Sequence, residues 1–172
     1  MNSASTDQTE FRTACSKFPT GVTITTVLGQ DGCPYGITIS SFASVSLAPP
    51  LLLICIDRRS SILQHLAVGS YFAVNVLSEE QHNFSLQFSC NWSQRFAGVP
   101  WYSGNTGAPL ISDVPAAFEC RAIEQIPAGD HFVFIGEVLH VVSRELLPLT
   151  YVGRRYAQIR HSELPESDQQ SS

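Results

Sequence analysis

At 172 residues, with 44% hydrophobic content and modest charge, the chain has the length and composition of a single globular domain. A formal charge of -5 and the absence of any long Lys/Arg run argue against wrapping of nucleic acid, because that binding depends on neutralising several phosphates. The longest strongly apolar run, Leu51 to Ile56, is too short to span a bilayer, and "MNSASTDQTEFRT" has neither the basic start nor the apolar core of a secretion signal; no membrane association and a cytoplasmic location are expected.

The first ten residues are polar, and a flexible segment is expected over 1–10. Phe11, Ala14, Cys15 and Phe18 follow helical spacing and predict a short helix that stops at Pro19. Strands dominate from there. "GVTITTVLG" leads through the hairpin signal Gln30-Asp31-Gly32 into "GITISSFASVSLAPP" and then "LLLICID", which predicts a meander. Ser60 has the character of an N-cap for a helix bearing Ile62, Leu63 and Leu66 and closed by Gly69, ahead of the strand "YFAVNVL". Ser78 and Gln81 form a capping-box pattern that opens a second helix through Phe84 and Phe88. After a Gly/Pro-punctuated loop from Gly98 to Pro109, "AAFECRAIEQI" and "HFVFIGEVLHVV" predict two long strands joined by the turn Pro127-Ala128-Gly129-Asp130. The fold class is mainly β: an antiparallel, Greek-key-like barrel with inserted helices over 11–160, followed by a disordered tail over 161–172.

Cysteines 15, 33, 55, 90 and 120 are odd in number and irregularly spaced, so reduced, structural thiols are expected, and no metal site is predicted from Cys or His spacing. There is no Gly-x-Gly-x-x-Gly, nucleophile elbow or Walker loop, and Cys55 lacks a neighbour that would lower its pKa. Three stretches remain as candidate chemistry. "CIDRRSSILQHL" places Asp57, two arginines, Ser60 and Ser61 where a helix begins; this suits a phosphate, or is simply a well-capped helix with solvated arginines. In "TISSFASVS" an extended chain puts Thr38, Ser40, Phe42, Ser44 and Ser46 on one face and Ile39, Ser41, Ala43, Val45 and Leu47 on the other. Such a small, uncharged, hydroxyl-rich face suits a flat heteroaromatic ligand, or satisfies itself across a sheet. Gly129-Asp130-His131 is turn chemistry, or an imidazole at a barrel rim that contacts a ligand.

The ordered segments "FPTGVTITT", "GITISSFASVSLAPPLLLICID", "FAVNVLSEEQ", "RFAGVPW", "AGDHFVFIGEV" and "PLTYVGRRY" together resemble the short-chain flavin reductases with an FMN-binding split barrel, the reductase components of two-component flavin-dependent monooxygenases. The resemblance implies a homodimeric flavoprotein whose cofactors are FMN or FAD and NADH or NADPH, with an oxygenase as partner. It implies that Thr38 to Ser44 run along the isoalloxazine, with Ile39, Ser40 and Ser41 among the contacts, and that Asp57, Ser60 and Ser61 approach the ribityl phosphate. Gly129, Asp130 and His131 are then placed on the nicotinamide side, with His131 and Asp130 as the catalytic pair. Thr20, Phe96 and Tyr156 join the cofactor contacts through their matching segments. The implied activity is NAD(P)H:flavin oxidoreduction, with a tightly held FMN for electron transfer, or a noncatalytic flavin-binding module, as the alternatives.

Overall fold

β-Branched and aromatic residues are concentrated in the predicted strands, and the computed structural model, which describes residues 7–90 and 95–160, gathers most of those strands into one antiparallel sheet. In chain order the elements are α1 (Gln8–Cys15), β1 (Thr20–Gly21), β2 (Thr23–Leu28), β3 (Pro34–Ile39), β4 (Phe42–Leu47), β5 (Pro50–Asp57), β6 (Tyr71–Val76) and α2 (His82–Ser89), then β7 (Trp101–Ser103), β8 (Pro109–Ile111), β9 (Ala116–Ala128), β10 (His131–Ser143), β11 (Thr150–Val152) and β12 (Arg155–Ala157). The seven-stranded sheet has the order β3-β2-β6-β9-β10-β5-β4, and smaller sheets join β1-β11-β12 and β7-β8. The expectations for 1–6 and for the tail over 161–172 fall outside the described residues.

The two edge strands of the large sheet, β3 and β4, are consecutive in the chain. The expected meander is therefore broken: β2 pairs with β3 and β4 with β5, but no ladder joins β3 to β4 among the described residues, and Ser40 and Ser41 turn the corner between them. The Ser41 hydroxyl crosses this seam, donating to the Cys55 carbonyl at 2.9 Å and accepting from the Cys55 N–H at 3.0 Å. It stands where a strand neighbour would otherwise pair that peptide, which closes a split in the rolled sheet. This is the split barrel that the resemblance implies.

Two apolar clusters fill the interior, one around Ile24, Phe88, Leu110 and Leu149 and the other around Ile54, Ile56, Phe72 and Phe134. Buried polar groups dock the β7–β8 hairpin onto the sheet. Asn75 donates from Nδ2 to the Ile24 carbonyl and Thr26 Oγ1 and accepts from the Ile111 N–H at 2.9 Å. Glu119, 1% exposed, accepts from the N–H and side chain of both Asn105 and Thr106 at 2.7–3.2 Å. Gly104 permits that approach, since a Cβ there would lie 2.6 Å from the carboxylate.

The Ser78–Gln81 capping box is present and leads through a single 3-10 turn into α2. The helix expected after Ser60 is only a 3-10 turn, Ser61–Gln64, and the Ser60 hydroxyl makes no cap bond. Ile62 and Leu66 are anchored in the barrel on either side of it, so the short connection tightens rather than propagates a helix. α1 begins at Gln8, inside the segment expected to be flexible, capped by Asp7, and buries none of its residues.

Candidate functional site

The β9–β10 hairpin is closed by Gly129 and Asp130, with Gly129 at φ 60, a conformation that favours glycine. The register of β10 against β5 sets His131 directly opposite Asp57, which brings two of the three candidate stretches together. Arg58 ties them further: its N–H donates to the Asp130 carbonyl at 3.0 Å, and its guanidinium lies 4.8 Å over the Phe132 ring. His131 Nδ1 is 2.8 Å from Asp130 Oδ1. The hydrogen bond to His131, then its charge, hold the Asp130 carboxyl below its ordinary range. An ionised carboxylate only accepts, so Nδ1 carries the proton and Nε2 is the ring atom left for a ligand.

Asp57 is already engaged. Its carboxylate accepts from the Arg59 N–H at 2.8 Å, Nε at 3.0 Å and Nη2 at 2.7 Å, and these bonds, side chain first, hold it well below the usual carboxylate range. The Ser60 and Ser61 hydroxyls have no partner among the described residues. With only a 3-10 turn behind them, the helix-dipole part of the anion-site reading falls away, leaving hydroxyls and nearby guanidinium groups.

Asp57, Ser60 and Ser61 line an open cleft of about 1030 Å³, which is also lined by Tyr35, Gly36 and Ile37 of β3, by Ser89 at the end of α2 and by Arg95 beyond it. Tyr35 is fixed by its hydroxyl donating to Asp31 at 2.7 Å and by stacking on His65 at 3.8 Å. Tyr35, Ser89 and Arg95 were not among the predicted site residues.

The hydroxyl-rich stretch does not form one continuous face. Thr38 donates to the Ser85 carbonyl at 2.7 Å, Ser41 bridges the seam, Ile39 is core, and Phe42 packs inward on Phe118 at 5.5 Å. A break at Ser40–Ser41 and a register shift between Ser44 and Ser46 destroy the strict alternation. Ser40 and Ser44 remain exposed, with no hydrogen-bond partner among the described residues. Phe96 packs on Phe88 and Trp101 at the margin of the core, at 4.9 and 5.9 Å. Thr20 and Tyr156 lie on the small sheet β1-β11-β12 rather than on the cleft, Tyr156 donating to Ser85 Oγ at 3.0 Å.

Among the described residues no activated nucleophile is assembled here. Burial, followed by the Glu119 charge, pushes the Cys120 thiol up to about 12, and Cys55 is tied by its backbone to Ser41. Among the described residues no cluster of three metal-ligating side chains occurs, and no helix is long and apolar enough to cross a membrane.

The flavin reductase like domain family matches residues 15–160. A flavin reductase (NADH) of Kitasatospora aureofaciens is 44% identical over 88% of this chain and 82% of its own length. The reductase component of a flavin-dependent trigonelline monooxygenase of Acinetobacter baylyi is 42% identical over 86% of this chain, which spans only 47% of that relative. The structure of an NADH:FAD oxidoreductase of Streptomyces globisporus, in complex with NAD and FAD fragments, is 35% identical and superposes with a TM-score of 0.84 over 94% of this chain and 96% of its own.

Proposed function

Because the chain belongs to the flavin reductase like domain family, we propose that it is an NAD(P)H:flavin oxidoreductase that supplies reduced flavin to a separate oxygenase. The observation that carries this reading is the pairing of His131 with Asp57 across β10 and β5, Asp57 itself lining a cleft large enough for a nucleotide. The cofactors supply the redox chemistry, in which the nicotinamide C4 hydride passes with its electron pair to flavin N5, FMN or FAD being the acceptor and NADH or NADPH the donor. The chain's own groups bind and orient. Ser40 and Ser44 offer hydroxyls at the rim of the seam, Ser60 and Ser61 offer them inside the cleft, and the Asp130-held His131 positions the nicotinamide.

Anaerobic addition of NADH to the flavin-supplied protein tests this. Loss of the visible flavin absorbance with steady turnover of excess free flavin is the expected result. Bleaching confined to one bound equivalent would instead make the protein an electron-transfer flavoprotein, and no bleaching with NADH or NADPH would leave it a binding module.

The assembly follows from surface chemistry. Leu47 is 93% exposed on edge strand β4, and Phe18 is 73% exposed after α1, with Phe11 and Val45 also open. Exposed large apolar side chains, two of them on an unpaired strand edge, call for a partner surface, and a C2 dimer is the commonest closed solution. Light scattering at micromolar concentration should return twice the chain mass; a monomeric mass with full reductase activity would exclude a functional dimer.

A further inference from the structure

We propose that Arg59 is a positioning residue for His131, acting by holding the Asp57 carboxylate away from the imidazole so that Nε2 stays open to the nicotinamide; this role rests on the flavin reductase reading above. The register sets Asp57 directly opposite His131, and opposed residues of an antiparallel pair share a face with their Cβ atoms about 4.5–5.5 Å apart. A carboxylate at that range is a ready second partner for the ring, yet among the described residues no hydrogen bond joins the two side chains. Arg59 has taken it instead. Its N–H and Nε donate to Asp57 Oδ1 and its Nη2 donates to Oδ2, so both oxygens are occupied. The bonds from Arg59 come first in lowering the pKa of the Asp57 carboxyl and the charge of His131 comes last, whereas for Asp130 the bond to His131 comes first.

The charged groups around the ring are few. The end of β5 brings Asp57, Arg58 and Arg59, and the turn brings Asp130; the β9 residue opposite His131 is Ala128. Two carboxylates thus meet two guanidinium groups. Arg58 lies over Phe132 and makes no ion pair among the described residues, so it does not stand in for Arg59 at Asp57. Removing the Arg59 guanidinium leaves one negative charge in excess beside the imidazole, which favours the protonated ring. The Arg59 N–H survives any side-chain replacement and keeps Asp57 in place, but Oδ2 is released. A doubly protonated ring then donates from Nδ1 to Asp130 and from Nε2 to Asp57, and the atom left for the ligand is used up. An ion pair whose arginine side chain is 88% exposed adds little to stability, so a bland surface role predicts almost no effect of its removal.

The experiment measures kcat/KM for NADH between about pH 5 and 8, where imidazole titrates, with free flavin saturating for each variant. Arg59→Gln should lose about three- to tenfold at the acid end, chiefly through KM, and the loss should fade toward the alkaline end. Arg59→Lys, which keeps the charge without the fork, should lose less, again at the acid end. In an Asp57→Asn background Arg59→Gln should cause no further acid-end loss, since no carboxylate is left to release. Three results overturn the role: a loss of the same size at every pH, an acid-end loss that persists in the Asp57→Asn background, or no change with Arg59→Gln. A change confined to flavin affinity does so too, by making Arg59 a flavin contact. If Arg59→Gln does not fold, Arg59→Lys carries the test, and a loss that is absent or equal at both pH extremes overturns the role. A wild type that reduces flavin with neither NADH nor NADPH overturns the flavin reductase reading, and this role with it.

Discussion

Replacing His131 with Ala is expected to slow the reduction of bound flavin about tenfold to a hundredfold and to raise the apparent KM for NADH, with flavin affinity nearly unchanged. The expectation follows from how the ring is held. Asp130 fixes Nδ1 at 2.8 Å, the tight turn at Gly129 fixes the backbone, and pairing with Asp57 and contacts from Arg58 hold the hairpin against the end of β5. An imidazole so constrained can set the angle and depth of a nicotinamide, and a small displacement of the donor carbon from the acceptor nitrogen is costly in rate. Anaerobic stopped-flow reduction of the folded variant, over a range of NADH concentrations, is the measurement. A wild-type rate throughout, accompanied only by lower thermal stability, would return His131 to a turn residue.

Replacing Glu119 with Ala is expected to lower the unfolding free energy by roughly 2–4 kcal/mol in urea denaturation at neutral pH. Four donors from Asn105 and Thr106 converge on this carboxylate, and each buried donor left unpaired costs on the order of 1–3 kcal/mol, less where Asn105 can turn to water. Desolvation by itself raises the Glu119 pKa, but the bonds from Thr106 and Asn105 outweigh it and the net shift is downward. A carboxyl whose pKa is depressed by folding contributes stability that is fully present above its unfolded value, about 4.3, and that is lost as pH falls through the lower folded value. Wild type should therefore lose stability below about pH 4.3 in a way that Glu119→Gln does not. An identical acid limb in the two proteins would show that this carboxylate does not set it.

The long hairpin β9–β10 was legible because both strands alternate over many residues and the Gly-Asp pair between them has a single conformational use. The capping box at Ser78 and Gln81 was legible because it is a reciprocal, four-residue pattern whose bonds are local. What failed depended on distant partners. Ile62, Leu63 and Leu66 have helical spacing, yet the barrel holds Ile62 and Leu66 at fixed points and leaves room for only a 3-10 turn. Alternation through Gly36 to Leu47 suggested one strand, but a corner at Ser40–Ser41 is invisible when either serine satisfies the pattern. Arg95 gave no signal, since one of its anchoring carbonyls, at Gly36, lies 59 residues away. Nothing in the sequence singled out Glu119; a register shift between Val138 and His140, on the paired strand, accompanies its inward position.

The wall formed by β3, the corner, β4 and most of β5 has a further property. From Gly36 to Ile54 there is no titratable side chain at all. Its polar atoms are hydroxyls and peptide groups, which neither gain nor lose a proton between mildly acidic and mildly alkaline solution. A ligand held along that wall meets a constant electrostatic environment, insensitive to the acidity around the protein. The ionisable groups lie past the end of this run, where β5 meets the start of β10, in Asp57, Asp130 and His131. The fold thus keeps a proton-inert surface for holding apart from a small ionisable corner, and any dependence of the reaction on acidity that originates in this part of the protein must enter through that corner.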